Sequence, residues 1–221
     1  MTDADWTGLL SRVRACAACA ATLPLGPRPI LSASPSARLL IISQAPGRRA
    51  HEAGRTFADP SGDRLRDWLG LAPDLFYDSS RVAIIPMGLC YPGTAEGGGD
   101  LLPEARCSAT WHAPLFAHLS RIRLTLLVGR VAQLRYLPDP RGSMSEAVAH
   151  WREYLPAHVP LPHPSWRTIG WARRNPWFEA ELLPDVRARI ARILRPGADD
   201  RLRSQSRECP TVSRRRKGSP G

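Results

Sequence analysis

The sequence predicts an α/β fold, a three-layer α/β/α sandwich around a central four-stranded parallel sheet, formed by residues 1–195 as one domain. Two observations carry this. Four short apolar runs, Leu39–Ile42, Val82–Ile85, Leu124–Val128 and Val159–Leu161, are rich in β-branched or leucine residues and bounded by turn formers. Stretches with helical spacing separate them, and strands alternating with helices imply a parallel sheet covered on both faces.

Each element has its own signal. Trp6, Leu9, Leu10 and Val13 recur at helical spacing behind Asp5, a good cap, so a helix is expected over residues 5–18. The first strand follows at Leu39–Ile42. Ser61 can cap a helix carrying Leu65, Trp68 and Leu69, after which Val82–Ile85 forms the second strand. Pro103 or Glu104 opens a helix through Trp111, Leu115 and Leu119, and Leu124–Val128 forms a third strand ending at Gly129. Val159–Leu161 is the fourth. Phe178, Leu182, Leu183, Val186 and Ile190 form a last amphipathic helix, kinked or restarted at Pro184 and running to about Leu194. No internal repeat is visible.

The chain of 221 residues carries a net charge of +11, and all but Lys217 of its 31 basic residues are arginine. That positive field favours a polyanion and makes nucleic acid the expected partner. The segment 196–221 holds seven basic and three acidic residues, a net +4, so the rest carries +7. It has no apolar stripe and is expected to be a disordered basic tail. No run of eighteen apolar residues appears and the first five residues are acidic rather than basic, so a cytoplasmic protein without a membrane segment is expected.

Five cysteines in a cytoplasmic chain are not expected to form disulfides. Cys16 and Cys19 stand three apart, at a spacing from which both can reach one metal or cluster, while Cys90 and Cys107 flank a glycine-rich loop after the second strand. Cys209 falls in the tail. Four thiolates fit zinc or an iron–sulfur cluster, and spacing does not separate the two.

In open parallel sheets ligands sit beyond the carboxyl ends of the strands. Ser43-Gln44-Ala45-Pro46-Gly47 follows the first strand and Pro162-His163-Pro164-Ser165 follows the fourth, which makes Gln44 and His163 the leading candidates for chemistry. Together with Gly54-Arg55-Thr56-Phe57, the four cysteines and Arg173 to Phe178, these motifs resemble the uracil-DNA glycosylase superfamily over about residues 5–195, most of all its bacterial iron–sulfur branch, family 4, and relatives of that branch.

That resemblance implies a DNA glycosylase hydrolysing the N-glycosidic bond of uracil or another deaminated base, acting on DNA as a monomer. By the same resemblance Cys16, Cys19, Cys90 and Cys107 would hold a 4Fe-4S cluster, with zinc as the alternative occupant. His163 would donate to the base carbonyl that gains charge, Phe57 would stack on the extruded base, and Gln44, with Ala45, Pro46 and Gly47, would fix the base or the water. Ser165 would grip flanking phosphates with charge from Arg167, and Trp166 or Arg167 would fill the gap left in the base stack. Deleting residues 196–221 is expected to leave folding unchanged and to weaken DNA binding mainly at low salt, as a salt titration would show.

The sequence departs from the resembled pattern in two places. Gln44 and Ala45 stand where an acidic residue could activate water, leaving Gln44, Asp59, His51 or Glu52 for that task. Pro86 stands where the uracil-reading asparagine is expected, so uracil selectivity is expected to be relaxed. A non-catalytic damaged-DNA-binding protein of the same fold is the alternative. A phosphate-cradling hydrolase is unsupported, because no Lys-Ser/Thr pair follows the Pro-Gly turn.

Overall fold

The computed structural model describes residues 3–195. The tail expected over 196–221, with Cys209, lies outside the described residues. Helix α1, Asp3–Arg14, precedes strand β1, Leu39–Ile42, and the helices α2, Arg48–Ala53, α3, Pro60–Leu69, and α4, Pro73–Phe76. Strand β2, Val82–Ile84, leads through a long loop to α5, Ala105–Ala117, and then β3, Leu124–Val128. After β3 come α6, Arg130–Tyr136, α7, Met144–Ala149, and β4, His158–Leu161. Helix α8, Thr168–Arg174, a π-helical segment Phe178–Leu182 and α9, Leu183–Ile193, complete the described chain.

The four strands pair in parallel in the order β2-β1-β3-β4. All four residues of β1 are buried, as a strand covered on both faces requires. The pleat divides them: Leu39 and Ile41 join the core under α3 and α9, while Leu40 and Ile42 join the core under α1 and α5. Each such side chain contributes about 1.5–3 kcal/mol on burial, so the end of β1 is anchored from both sides. The chain leaves β1 toward β2 and returns to β3 on the opposite side, which creates the crevice where α/β sheets bind ligands.

Several expected boundaries move. The first helix begins at Asp3 and ends at Arg14, so Asp5 lies within its first turn rather than capping it. Helix α3 is capped by Asp59 instead of Ser61: the Asp59 carboxylate accepts the Gly62 N–H at 2.8 Å, and Pro60 fills the first helical position, where a missing N–H costs nothing. Pro184 occupies the first turn of α9, so the last helix restarts there after the π-helical segment. Among the described residues, no helix is long and apolar enough to cross a membrane.

Candidate active site

A cavity opens at the carboxyl ends of the strands. Its floor holds buried Ser43 and Pro86, its wall Thr56 and Phe57, and its rim Asp59, Asp100 and His163. Ala45, Pro46 and Gly47 also line it. The loop after β1 is fixed from below, because the Ser43 and Gln44 carbonyls accept the N–H groups of Met87 and Gly88 at 2.8 and 2.9 Å and so extend the β1–β2 ladder past the strands. Strand β3 lies between β1 and β4, so the two motif-bearing strands are not neighbours. Gly129 ends β3 with φ +86°, and a β-carbon there would lie 3.7 Å from that of His163. With so little above β3, His163 reaches the cavity from β4.

His163 is held by its backbone. Its carbonyl accepts the Ser165 N–H at 2.8 Å and the Thr168 hydroxyl, while the next carbonyl, that of Pro164, accepts from Arg64 Nη1 on α3 at 3.1 Å. By area His163 is exposed, yet the exposure faces the cleft, whose walls desolvate the ring. That desolvation pushes its pKa below the ordinary histidine value, against a smaller upward pull from Asp59. The imidazole is therefore neutral near pH 7 and can present an N–H donor.

Phe57 is buried, meets Phe76 edge-on at 6.0 Å between ring centres and also lines the cavity. Its φ of +56° is a left-handed conformation that bulky residues rarely adopt, at a cost on the order of 1–3 kcal/mol. Two contacts impose it. Tyr77 donates its hydroxyl to the Phe57 carbonyl at 2.8 Å, and Gly62 passes so close that a β-carbon there would stand 1.8 Å from that same oxygen.

Gln44 lines not this cavity but the cleft adjoining it, together with Ala45, Asp100 and His163. Its amide donates to the Leu101 carbonyl at 3.1 Å and so ties down the glycine-rich loop after β2. His51 and Glu52 are likewise not among the lining residues; Glu52 pairs with Arg48, and His51 lies beside Tyr91. Asp59 does line it. Asp100, which follows three glycines and belongs to none of the sequence motifs, lines it too. Outside the cavity a second cleft runs past Gly98, Gly99, Ser165, Trp166 and Arg167, and a third past Arg48, Arg49 and Arg64, giving a basic surface on either side of the pocket. Trp166 is 71% exposed, with the Arg167 guanidinium 5.4 Å from its ring centre.

Cys16, Cys19, Cys90 and Cys107 line one separate cavity between the end of α1, the loop after β2 and the start of α5. All four are free thiols. Burial pushes the Cys107 thiol up to about 11 and raises Cys90 and Cys19 as well. Cys107 accepts the Leu89 N–H at 3.3 Å, which opposes part of that rise, and Cys16 accepts the Trp111 indole N–H at 3.4 Å. Among the described residues, no three His, Cys, Asp or Glu side chains are gathered tightly enough for a single metal ion. Four soft donors around one largely apolar cavity nonetheless fit a cluster or zinc chemically.

Residues 32–187 match the sequence model of the Uracil DNA glycosylase superfamily. The match spans well over half of the chain, and includes β1 to β4 and every residue lining the candidate active site.

Proposed function

The chain belongs to the Uracil DNA glycosylase superfamily, and on that premise we propose that it hydrolyses the N-glycosidic bond of a deaminated nucleotide extruded from DNA. The observation that carries this reading is the meeting of an aromatic wall, a neutral imidazole and a carboxylate, Phe57, His163 and Asp59, in one cavity beside a basic surface.

Glycosidic cleavage breaks the bond from sugar C1′ to the base nitrogen, whose electron pair leaves with the base, while a water oxygen bonds to C1′. Asp59 is the group for the sugar side: its carboxylate stabilises the oxocarbenium ion and takes the proton of the attacking water. His163 serves the base side, donating its N–H to the atom where negative charge develops. Phe57 offers its ring for stacking, and the proton taken by Asp59 is released as the base anion is neutralised. Ser165, Arg167, Arg49 and Arg64 lie where phosphates flanking the extruded nucleotide would pass. Trp166, exposed beside the pocket, is the side chain for the gap in the base stack.

Cys16, Cys19, Cys90 and Cys107 would hold an iron–sulfur cluster, or zinc in its place. Such a group would supply a crosslink joining α1, the loop after β2 and α5 rather than chemistry at the sugar.

Labelled oligonucleotides carrying different deaminated bases test the reading. Free base and an abasic site are the expected products; binding without release from any lesion would leave a damaged-DNA-binding protein of the same fold. Phe57→Ala should weaken engagement of the extruded base by about 1–3 kcal/mol, the value of one base–aromatic stack, seen as a higher KM on lesion duplexes with little change on undamaged DNA.

A further inference from the structure

The cavity offers a base an odd set of partners. Pro86 on its floor has neither an N–H nor a side-chain amide. Two carboxylates take up the rim instead: a β-carbon on Gly47 would stand 3.1 Å from one oxygen of Asp100 and 3.8 Å from one of Asp59. Asp59 is partly engaged, since it caps α3 through Gly62. Asp100 is not. Among the described residues its carboxylate has no hydrogen-bond or ion-pair partner; burial and the neighbouring Asp59 raise its pKa, and nothing lowers it. A second polar group in the same cavity is also unpaired: Thr56 is 2% exposed and its hydroxyl has no partner. A buried hydroxyl left open, as that of Thr56 is, is costly unless something binds it.

Asp100 is delivered there by a small hairpin. Thr94 and Asp100 bridge antiparallel, the Ala95 N–H donates to the Gly99 carbonyl and the Leu101 N–H to that of Gly93, both at 2.9 Å. Gly98 and Gly99, with φ of +78° and +91°, make the turn. Gln44 fastens the hairpin through Leu101, which makes Gln44 a positioning residue for Asp100.

Resting on the glycosylase reading of this cavity, we propose that Asp100 is the base-reading residue and that it selects the deaminated purine hypoxanthine over uracil. An ionised carboxylate only accepts hydrogen bonds, so the base must donate an N–H toward it. Adenine and cytosine present an acceptor nitrogen at the corresponding ring position and are repelled; their deaminated products present N–H. The two products differ in their flanks. Uracil N3–H lies between two carbonyls whose lone pairs oppose a carboxylate, whereas hypoxanthine N1–H has a carbonyl on one side and a weakly donating C–H on the other. An asparagine amide, with one donor and one acceptor, would pair with the ring N–H and adjacent carbonyl of either base and so would not separate them. Guanine also carries N1–H, but its intact pairing raises the cost of extrusion. On a purine the His163 N–H would meet N3, the acceptor beside the glycosidic nitrogen.

The test compares wild type, Asp100→Asn and Asp100→Ala on duplexes containing hypoxanthine or uracil, by single-turnover excision and by affinity for 2′-fluoro versions that resist cleavage. Wild type should prefer hypoxanthine by roughly 10-fold or more, and Asp100→Asn should erase most of that preference, because an amide pairs with the N–H and carbonyl that both bases carry. Asp100→Ala should abolish the preference. The Asn variant should fold at least as well as wild type. A raised carboxylate pKa means that ionising Asp100 opposes folding once pH rises through it, so removing the charge costs nothing above that pH. An unchanged hypoxanthine-to-uracil ratio in both variants would overturn the assignment of Asp100. Release of neither base by wild type would overturn the glycosylase reading, and the ratio of 2′-fluoro affinities would then decide the role of Asp100 on its own.

Discussion

Replacing His163 with alanine is expected to slow base release by roughly 10²–10³-fold while leaving affinity for lesion DNA nearly unchanged, the cost of losing one donor that acts mainly in the transition state. The geometry sets this size. The ring stands on the cavity rim beside Asp59, and its backbone is locked by Ser165, Thr168 and, one residue on, Arg64, so the donor arrives already oriented. Because the cleft lowers its pKa, the ring is neutral at pH 7, and its contribution should hold through neutral pH and change only as pH falls below the ordinary histidine value of about 6.5. Single-turnover rates on one lesion duplex at several pH values measure both effects. Full activity in the alanine variant would remove His163 from the mechanism.

Substituting Cys107 with serine should produce the largest fall in stability. This thiol is the one most strongly affected by burial, and it accepts the Leu89 N–H where the chain leaves β2 for the loop that carries Asp100. If loss of the bound group costs on the order of 2–5 kcal/mol, as removal of a native crosslink does, Tm should drop by roughly 4–20 °C for a domain of this size. Iron and zinc analysis of anaerobically purified protein, with a thermal melt, reads this directly. Protein without either metal, or a serine variant that melts with wild type, would refute the proposed centre.

The strands were legible because each is a continuous apolar run that must be buried on both faces, and all four keep at least one expected boundary. Short helices were not: α2, α4, α6 and α7 have four to seven residues and bury only one or two each, too few to establish a period. The cap of α3 is legible in the sequence, since Pro60 at the first helical position points to Asp59 just before it. Of the candidate site, His163, Phe57 and the Ala45–Gly47 turn meet in the cavity as expected from their motifs. Gln44 shares only the adjoining cleft with His163 and Ala45, its amide drawn to Leu101 by a hairpin that no local pattern announces. Asp100 follows three glycines and reads as a turn; only the three-dimensional path of that hairpin brings it to Asp59.

The unequal anchoring of the two sides of the pocket has a consequence for amide exchange and for divergence. The floor after β1 is tied to two separate cores through alternate residues of one strand, so its amides can exchange only when most of the sheet opens. The hairpin bearing Asp100 is largely exposed and held by a handful of hydrogen bonds, so it can open alone at far lower free energy. Substitutions in the hairpin therefore draw little on the stability reserve of the domain, whereas substitutions around β1 draw on all of it. Under the proposed function, a lineage carrying this fold can retune which base it accepts while the groups facing the sugar stay fixed.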